Sequence, residues 1–351
     1  MPFGFKLFTS TQPRQTPQEL MQGLLDEVKL LEESPSAFCV RRTIALTATT
    51  KHLRALKELI YECNNAESHG DMILSQVSQQ LCNTDLLLRL IKLLKSLEFE
   101  ARKDVVQIFN NVLIRRLGSL TPTVDYVCSK PEILFNLMDN LNNPTITFYC
   151  GQMLRMCIRF EELNRIILYS TKFYDLFHML DAPTFDVRGE ILQVVNKLLV
   201  THQPLIANFL EQNYNEFFDR YYEMLTSDNY VTRRMSVETL SAMLLSTSNI
   251  MSMKRYVSCA TNLKVIMNMM RDNKCKHYVI ELFHIFKLFV GNPSKPKEVL
   301  KILVLNQERL ATMLRKIPTY LEITNVAIID EMYYVSVLVE SLKLEPEEAA
   351  A

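Results

Sequence analysis

The sequence predicts an all-α fold, a right-handed solenoid of stacked helical repeats, and three observations carry that prediction. First, one helical pattern returns about every 43 residues. It reads VVQIFNNVL over Val105–Leu113, GQMLRMCI over Gly151–Ile158 and ILQVVNKLL over Ile191–Leu199, then VETLSAMLL over Val237–Leu245 and IELFHIFKLF over Ile280–Phe289. The central apolar positions Phe109, Met153, Val195, Leu240 and Phe283 stand 44, 42, 45 and 43 residues apart. A unit of that size cannot bury its apolar face alone, whereas a stack of units buries a continuous core. Second, the chain has only seven glycines in 351 residues, few for a Rossmann or barrel enzyme with tight turns and phosphate-cradling loops. Third, strand signals are weak: runs such as Val335–Val339 are short and flanked by helical spacing. Two or three helices per repeat of this length fit the armadillo or HEAT type better than the 34-residue tetratricopeptide type.

The elements follow in order. Thr16 reads as a helix cap with Pro17 in the first turn, where its missing N–H costs nothing, and Leu20, Leu24, Val28 and Leu31 follow at helical spacing. A Ser34-Pro35 break precedes a second helix over Phe38–Cys63. Polar residues Asn64–Asp71 lead into Met72–Leu97, interrupted near Asn83-Thr84-Asp85. Repeats then run over 98–140, 141–182, 183–225, 226–270 and 271–315. Short joints separate apolar segments at Leu120-Thr121-Pro122, Asn142-Asn143-Pro144, Ala182-Pro183-Thr184, Ser227-Asp228-Asn229 and Gly291-Asn292-Pro293. None is long enough for an interdomain linker, so residues 1–351 are expected to form a single helical-repeat scaffold domain. Residues 1–15 read as an N-terminal extension. The last helix is expected over Leu321–Leu342, ahead of an acidic tail at 345–351.

Composition narrows the function classes. At 48% hydrophobic content the chain can bury a large interior, which excludes disorder over most of its length. Its 39 basic and 39 acidic residues balance, which argues against a general nucleic-acid or anionic-membrane surface. Eight cysteines form no CxxC pair and mostly sit within apolar helical patterns, as buried thiols in a reducing cytosol do. Met1–Thr11 lacks the long apolar core of a signal peptide, and no stretch approaches the roughly 20 apolar residues of a membrane span. These features predict a soluble, cytoplasmic protein.

No constellation of catalytic residues stands out. HExxH, GxSxG, GxGxxG and the phosphate-loop pattern are all missing from the sequence. His277 and His284 could share a helix side, yet nothing marks them as a metal pair. Asp71 to Asn83 does not supply the alternating oxygens of a calcium loop. Glu161-Glu162 and Glu347-Glu348 read as solvated faces. Arg115-Arg116 and Lys254-Arg255 are isolated pairs, not a stripe that follows a phosphate backbone. The expectation is a nonenzymatic protein with no cofactor, no metal and no nucleic-acid partner.

Ordered polar words add a more specific signal. They are Met1-Pro2-Phe3, Lys103-Asp104-Val105 continuing as Gln107-Ile108-Phe109-Asn110-Asn111, Thr121-Pro122-Thr123-Val124, Phe173-Tyr174-Asp175 and Thr184-Phe185-Asp186. Phe209-Leu210-Glu211-Gln212 with Tyr214, Asn229-Tyr230-Val231-Thr232, Asn262-Leu263-Lys264, and Phe283-His284 with Phe286-Lys287 continue the series. Together they resemble the mouse protein twenty-five family, also called the calcium-binding protein 39 family. The match is collinear over nearly the whole chain and weakest over the first 95 and last 40 residues. The resemblance implies an all-helical scaffold without catalytic activity. It implies partners as well: a pseudokinase adaptor with its liver-kinase-B-type complex, and sterile-twenty-like germinal-centre kinases. A concave surface would cup the kinase-like domain, and a separate C-terminal pocket would receive a Trp-Glu-Phe peptide. The calcium of the family's name has no counterpart among this sequence's motifs.

The resemblance places the kinase-contacting positions on Phe185, Tyr230 and Arg234. Two aromatics suit rigid anchoring, and arginine offers a forked donor. Taken alone, Phe185 also reads as a core or turn residue, and Tyr230 with Arg234 as an ordinary pair on a helix surface. The peptide pocket falls on Lys264, Met267 and Met270, where flexible methionines suit an aromatic guest and equally suit routine packing. Here the sequence departs from the family: Thr247 and Leu305 stand where basic residues are expected. Two lost charges predict weaker capture of an acidic peptide. The reading is therefore a noncatalytic scaffold that binds kinase or pseudokinase domains and promotes kinase activity allosterically. The alternative is a passive adaptor for complexes in polarity or morphogenesis.

Overall fold

The computed structural model describes residues 16–33, 40–64, 69–116, 118–181, 184–271 and 275–344. The extension 1–15, the Ser34-Pro35 break, the Ala182-Pro183 joint and the tail 345–351 lie outside the described residues. Helices make up every regular element among the described residues. The fold is the all-α helical repeat that the period predicts.

Contacts divide the chain into two compact units, with the boundary between Ile167 and Leu168. The first contains α1 (Pro17–Glu33), α2 (Val40–Asn64), α3 (His69–Asn83), α4 (Leu86–Leu93), α5 (Phe99–Leu113), α6 (Pro122–Ser129), α7 (Glu132–Asp139) and α8 (Thr147–Cys157). The boundary falls within the last turn of α9 (Glu161–Leu168). The second contains α10 (Asp175–His178), α11 (Phe185–Val200), α12 (Gln203–Leu225), α13 (Tyr230–Leu245) and α14 (Ile250–Val257). It continues with α15 (Ala260–Arg271), α16 (Lys276–Gly291), α17 (Lys297–Leu305), α18 (Gln307–Tyr320) and α19 (Val326–Ser341).

Within each unit one helix per repeat forms a ladder. In the first, α2 packs on α5 and α5 on α8; in the second, α11 packs on α13, α13 on α16 and α16 on α19. Phe109, Met153, Val195, Leu240 and Phe283 are all buried on these helices, so the sequence period is the period of the core. Each such side chain contributes about 1.5–3 kcal/mol by leaving water. Polar ties repeat from rung to rung. Lys57 Nζ meets Asp104 Oδ1 at 2.7 Å between α2 and α5. Asn196 Nδ2 donates to Thr239 Oγ1 at 2.7 Å between α11 and α13, and Lys287 Nζ reaches Glu331 Oε1 at 2.6 Å between α16 and α19.

Local chemistry sets the ends of the elements. Thr16 and Glu19 form a reciprocal capping box: Glu19 N donates to Thr16 Oγ1 at 3.2 Å, and Thr16 N to Glu19 Oε2 at 2.8 Å. The expected interruption near Asn83–Asp85 separates α3 from α4. Asp85 takes a left-handed φ of 56° there, with its carboxylate held by Lys130 and by the Tyr126 hydroxyl at 3.0 Å.

Two expectations need correction. The last helix begins at Val326, not Leu321. Glu322 has a φ of 52° and Asn325 Oδ1 accepts from Ala327 N at 3.1 Å, so the cap follows the apolar residues Leu321 and Ile323 instead of preceding them. Nor are the cysteines uniformly buried. All seven described are free thiols; Cys63, Cys150 and Cys157 are buried, Cys82, Cys128 and Cys275 are half-buried, and Cys259 is exposed.

Candidate functional site

The second unit presents the predicted kinase-facing residues at the starts of successive ladder helices. Asn229 caps α13 through Oδ1, which accepts from Val231 N at 3.0 Å and Thr232 N at 3.1 Å. Ser227 Oγ accepts from Asn229 N at 3.2 Å, and the Arg233 guanidinium donates to Ser227 O at 2.8 Å. This cap turns the chain so that Tyr230, the first helical residue, stands 41% exposed. Phe185 occupies the same position on α11 and is 66% exposed. Because α11 packs on α13, the two rings hold equivalent positions on neighbouring rungs. A large aromatic that exposed in a free chain buries little of its own surface and leaves its ring for a partner.

Arg234 lies one turn into α13, exposed, with no hydrogen bond or ion pair among the described residues. It borders a hollow of about 190 Å³ with Glu238, His277, Tyr278 and Glu281. Tyr230 leans toward the buried ring of Tyr278, with centroids 6.4 Å apart. Cys275, the residue before α16, completes the group. Its thiol is held below its ordinary range first by the Tyr230 hydroxyl and then by the Tyr278 backbone N–H, and the Tyr230 hydroxyl is raised by the same bond. Sequence reasoning missed Cys275. Its position just ahead of an apolar-periodic helix was the available signal.

The predicted peptide-pocket residues are only partly gathered. Lys264 is exposed, Met267 half-buried and Met270 3% exposed along α15, which packs against α17. Leu305 ends α17 and is 71% exposed. Thr247 is exposed in a short 3-10 turn that packs on α12, α13 and α14. Of the five, Met270 alone lines the large cavity of this unit, about 1040 Å³. The lining also includes Val279 on α16, the acidic Glu308 at the start of α18, and Arg309, Met313, Lys316 and Tyr320 along one side of α18. The 4-3-4 spacing of the last four is visible in sequence. The opposing wall is not, because it comes from helices that meet α18 only after folding.

Among the described residues no helix is long and apolar enough to cross a membrane, and no group of three or more His, Cys, Asp or Glu could hold a metal ion.

Comparison with known proteins was made against this geometry. A family profile described as Mo25-like matches residues 6–343. Calcium-binding protein 39-like of Mus musculus is 38% identical over 304 residues, covering 87% of this chain and 88% of its own. MO25-like protein 2 of Caenorhabditis elegans is 35% identical, covering 85% and 88%. Mo25-like protein of Schizosaccharomyces pombe is 38% identical, covering 72% and 77%.

Proposed function

Because the chain belongs to the Mo25-like family, we propose that it is a noncatalytic cytoplasmic scaffold that binds kinase or pseudokinase domains and promotes protein kinase activity allosterically. The observation that supports this most is the pairing of Phe185 and Tyr230 at equivalent, exposed positions of adjacent rungs, with Arg234 one turn beyond. Two rigid rings and a forked cation are the residue types that concentrate binding energy at protein interfaces. The partners in this reading are a pseudokinase adaptor with a liver-kinase-B-type complex, and germinal-centre kinases of the sterile-twenty-like group. A Trp-Glu-Phe peptide is taken near Lys264, Met267 and Met270, weakened by Thr247 and Leu305.

Activation needs no contact with the transferred phosphate. A scaffold that binds the active arrangement of a kinase more tightly than the inactive one shifts the population by that difference. Each tenfold preference corresponds to about 1.4 kcal/mol.

The test is a reconstituted assay with purified germinal-centre kinase. Wild-type chain should raise the catalytic rate with saturation, and Arg234→Ala should lower both binding and activation with helical content unchanged. Equal activation by the two proteins across a full titration removes this surface from the reading. Co-purification without any change in rate identifies a passive adaptor instead.

A further inference from the structure

The cavity of about 1040 Å³ is lined from one side by the end of α15 and from the other by α18. In the first unit the corresponding helices, α4 and α7, each just ahead of a ladder helix, pack directly on one another. In the second, α15 packs on α16 and α17 and α18 packs on α19, and the groove between α15 and α18 is floored by core residues. Met270, Val279 and Ile317 at that floor are 3%, 1% and 7% exposed, and Met313 is half-buried. An apolar groove between helices, with two adaptable methionines in its lining, suits the apolar face of another helix.

The rim adds charge in a fixed register. Arg309 and Lys316 flank Met313 on one side of α18, and Tyr320 follows one turn later, 61% exposed. Both cations are exposed and make no hydrogen bond or ion pair among the described residues. Seven residues separate them, about 10 Å of helix. Arg315 is engaged instead by α19, where it pairs with Glu340 and donates to Ser336 Oγ at 3.2 Å. Glu308 is the lone carboxylate among the described residues of the lining, so the groove carries a net positive charge.

We propose that this groove docks an acidic amphipathic helix of a partner protein. Residues seven apart on a helix return to one side about 10 Å along its axis, so two carboxylates at that spacing meet Arg309 and Lys316 together. The apolar residue one turn from each carboxylate then falls on Met313 and on Tyr320, and the apolar stripe beside them reaches Met270, Val279 and Ile317. A basic helix in the same place sets like charges against the rim and is rejected. Exposed ion pairs are weak singly, so the two cations fix register and selectivity while apolar burial supplies most of the affinity. The site is separate from the expected Trp-Glu-Phe pocket, since Lys264, Met267, Thr247 and Leu305 take no part in its lining.

Fluorescence anisotropy of the full chain with a labelled synthetic helix tests the proposal. The probe is a capped peptide of about 18 residues, long enough to be helical in an alanine-rich background. It is alanine and glutamine throughout, apart from a stripe of leucines at coiled-coil spacing and two glutamates seven residues apart beside it. Wild-type chain should bind it saturably, and less tightly as salt is raised. Arg309→Glu with Lys316→Glu should weaken binding about tenfold, because two rim pairs become two like-charge contacts. A second probe with lysines in place of the glutamates should recover binding on that variant and bind the wild type poorly. No binding by the wild type, an affinity indifferent to the reversal, no recovery with the lysine probe, or displacement of the probe by a Trp-Glu-Phe peptide would each overturn the proposal. Both reversed side chains are exposed, so the fold tolerates the change. Because no kinase enters the assay, failure here leaves the scaffold reading standing.

Discussion

Replacing Phe185 with Ala should cost binding far more than folding. The ring is 66% exposed in the free chain. A phenylalanine side chain of about 200 Å² therefore offers a partner about 130 Å², which at about 25 cal/mol per Å² is worth at most about 3 kcal/mol. Alanine keeps the β-carbon, and some of the gain is offset by ordering at the interface, leaving about 2 kcal/mol, or about 30-fold in Kd. The smaller buried part of the ring limits the folding loss to about 1 kcal/mol. Calorimetric titration of a germinal-centre kinase domain into both proteins gives the first number, and chemical denaturation gives the second. An affinity within twofold of wild type, with the fold intact, would refute the docking role. A stability loss of 3 kcal/mol or more would refute the exposure on which the magnitude rests.

Leu240→Ala should show the opposite pattern, losing about 2–5 kcal/mol of stability by denaturant titration because the side chain is fully buried; a loss under 1 kcal/mol would place it outside the core. Cys275 should be alkylated at neutral pH before Cys82, which burial pushes up to about 11, and before Cys150, pushed up to about 12. A lowered thiol value means more thiolate at a given pH, so its rate should rise at lower pH than for an ordinary cysteine, and Tyr230→Phe should slow it. Equal rates at the three sites by mass spectrometry would contradict the hydrogen bond. Thr247→Arg combined with Leu305→Lys should tighten a Trp-Glu-Phe peptide several-fold by calorimetry. Both sites are exposed and accept the longer side chains, so unchanged affinity would mean that charge at these positions does not control the peptide.

The repeat was legible because the side chains that define it are the ones that pack. Phe109 and Met153 on α5 and α8, and Leu240 and Phe283 on α13 and α16, are apolar at fixed intervals and buried on helices that pack on each other. The break at Asp85 could be read from its polar neighbours, although a left-handed aspartate carries no unique sequence signal. The start of α19 was misplaced because Leu321 and Ile323 continue the apolar spacing, while the feature that stops it, the positive φ of Glu322, is conformational. Exposure of Phe185 was likewise beyond periodicity. A phenylalanine at a helix start can turn inward or outward, and only the packing of α11 against α13 decides. The α18 cavity joins residues about 40 apart, such as Met270 and Arg309, and no local pattern links them.

The ties between rungs have a kinetic consequence. Ties such as Lys57–Asp104, Asn196–Thr239, Asn249–Gln203 and Lys287–Glu331 join positions 43 to 47 residues apart. The entropy of closing a loop depends on its length, so each rung closes the same modest loop however long the chain has grown. A ribosome adding about 5–20 residues per second takes several seconds to emit one repeat. Helical units with such local contacts dock in milliseconds or less. Each rung therefore has time to seat on its predecessor before the next emerges, so that apolar helix faces spend little of synthesis uncovered.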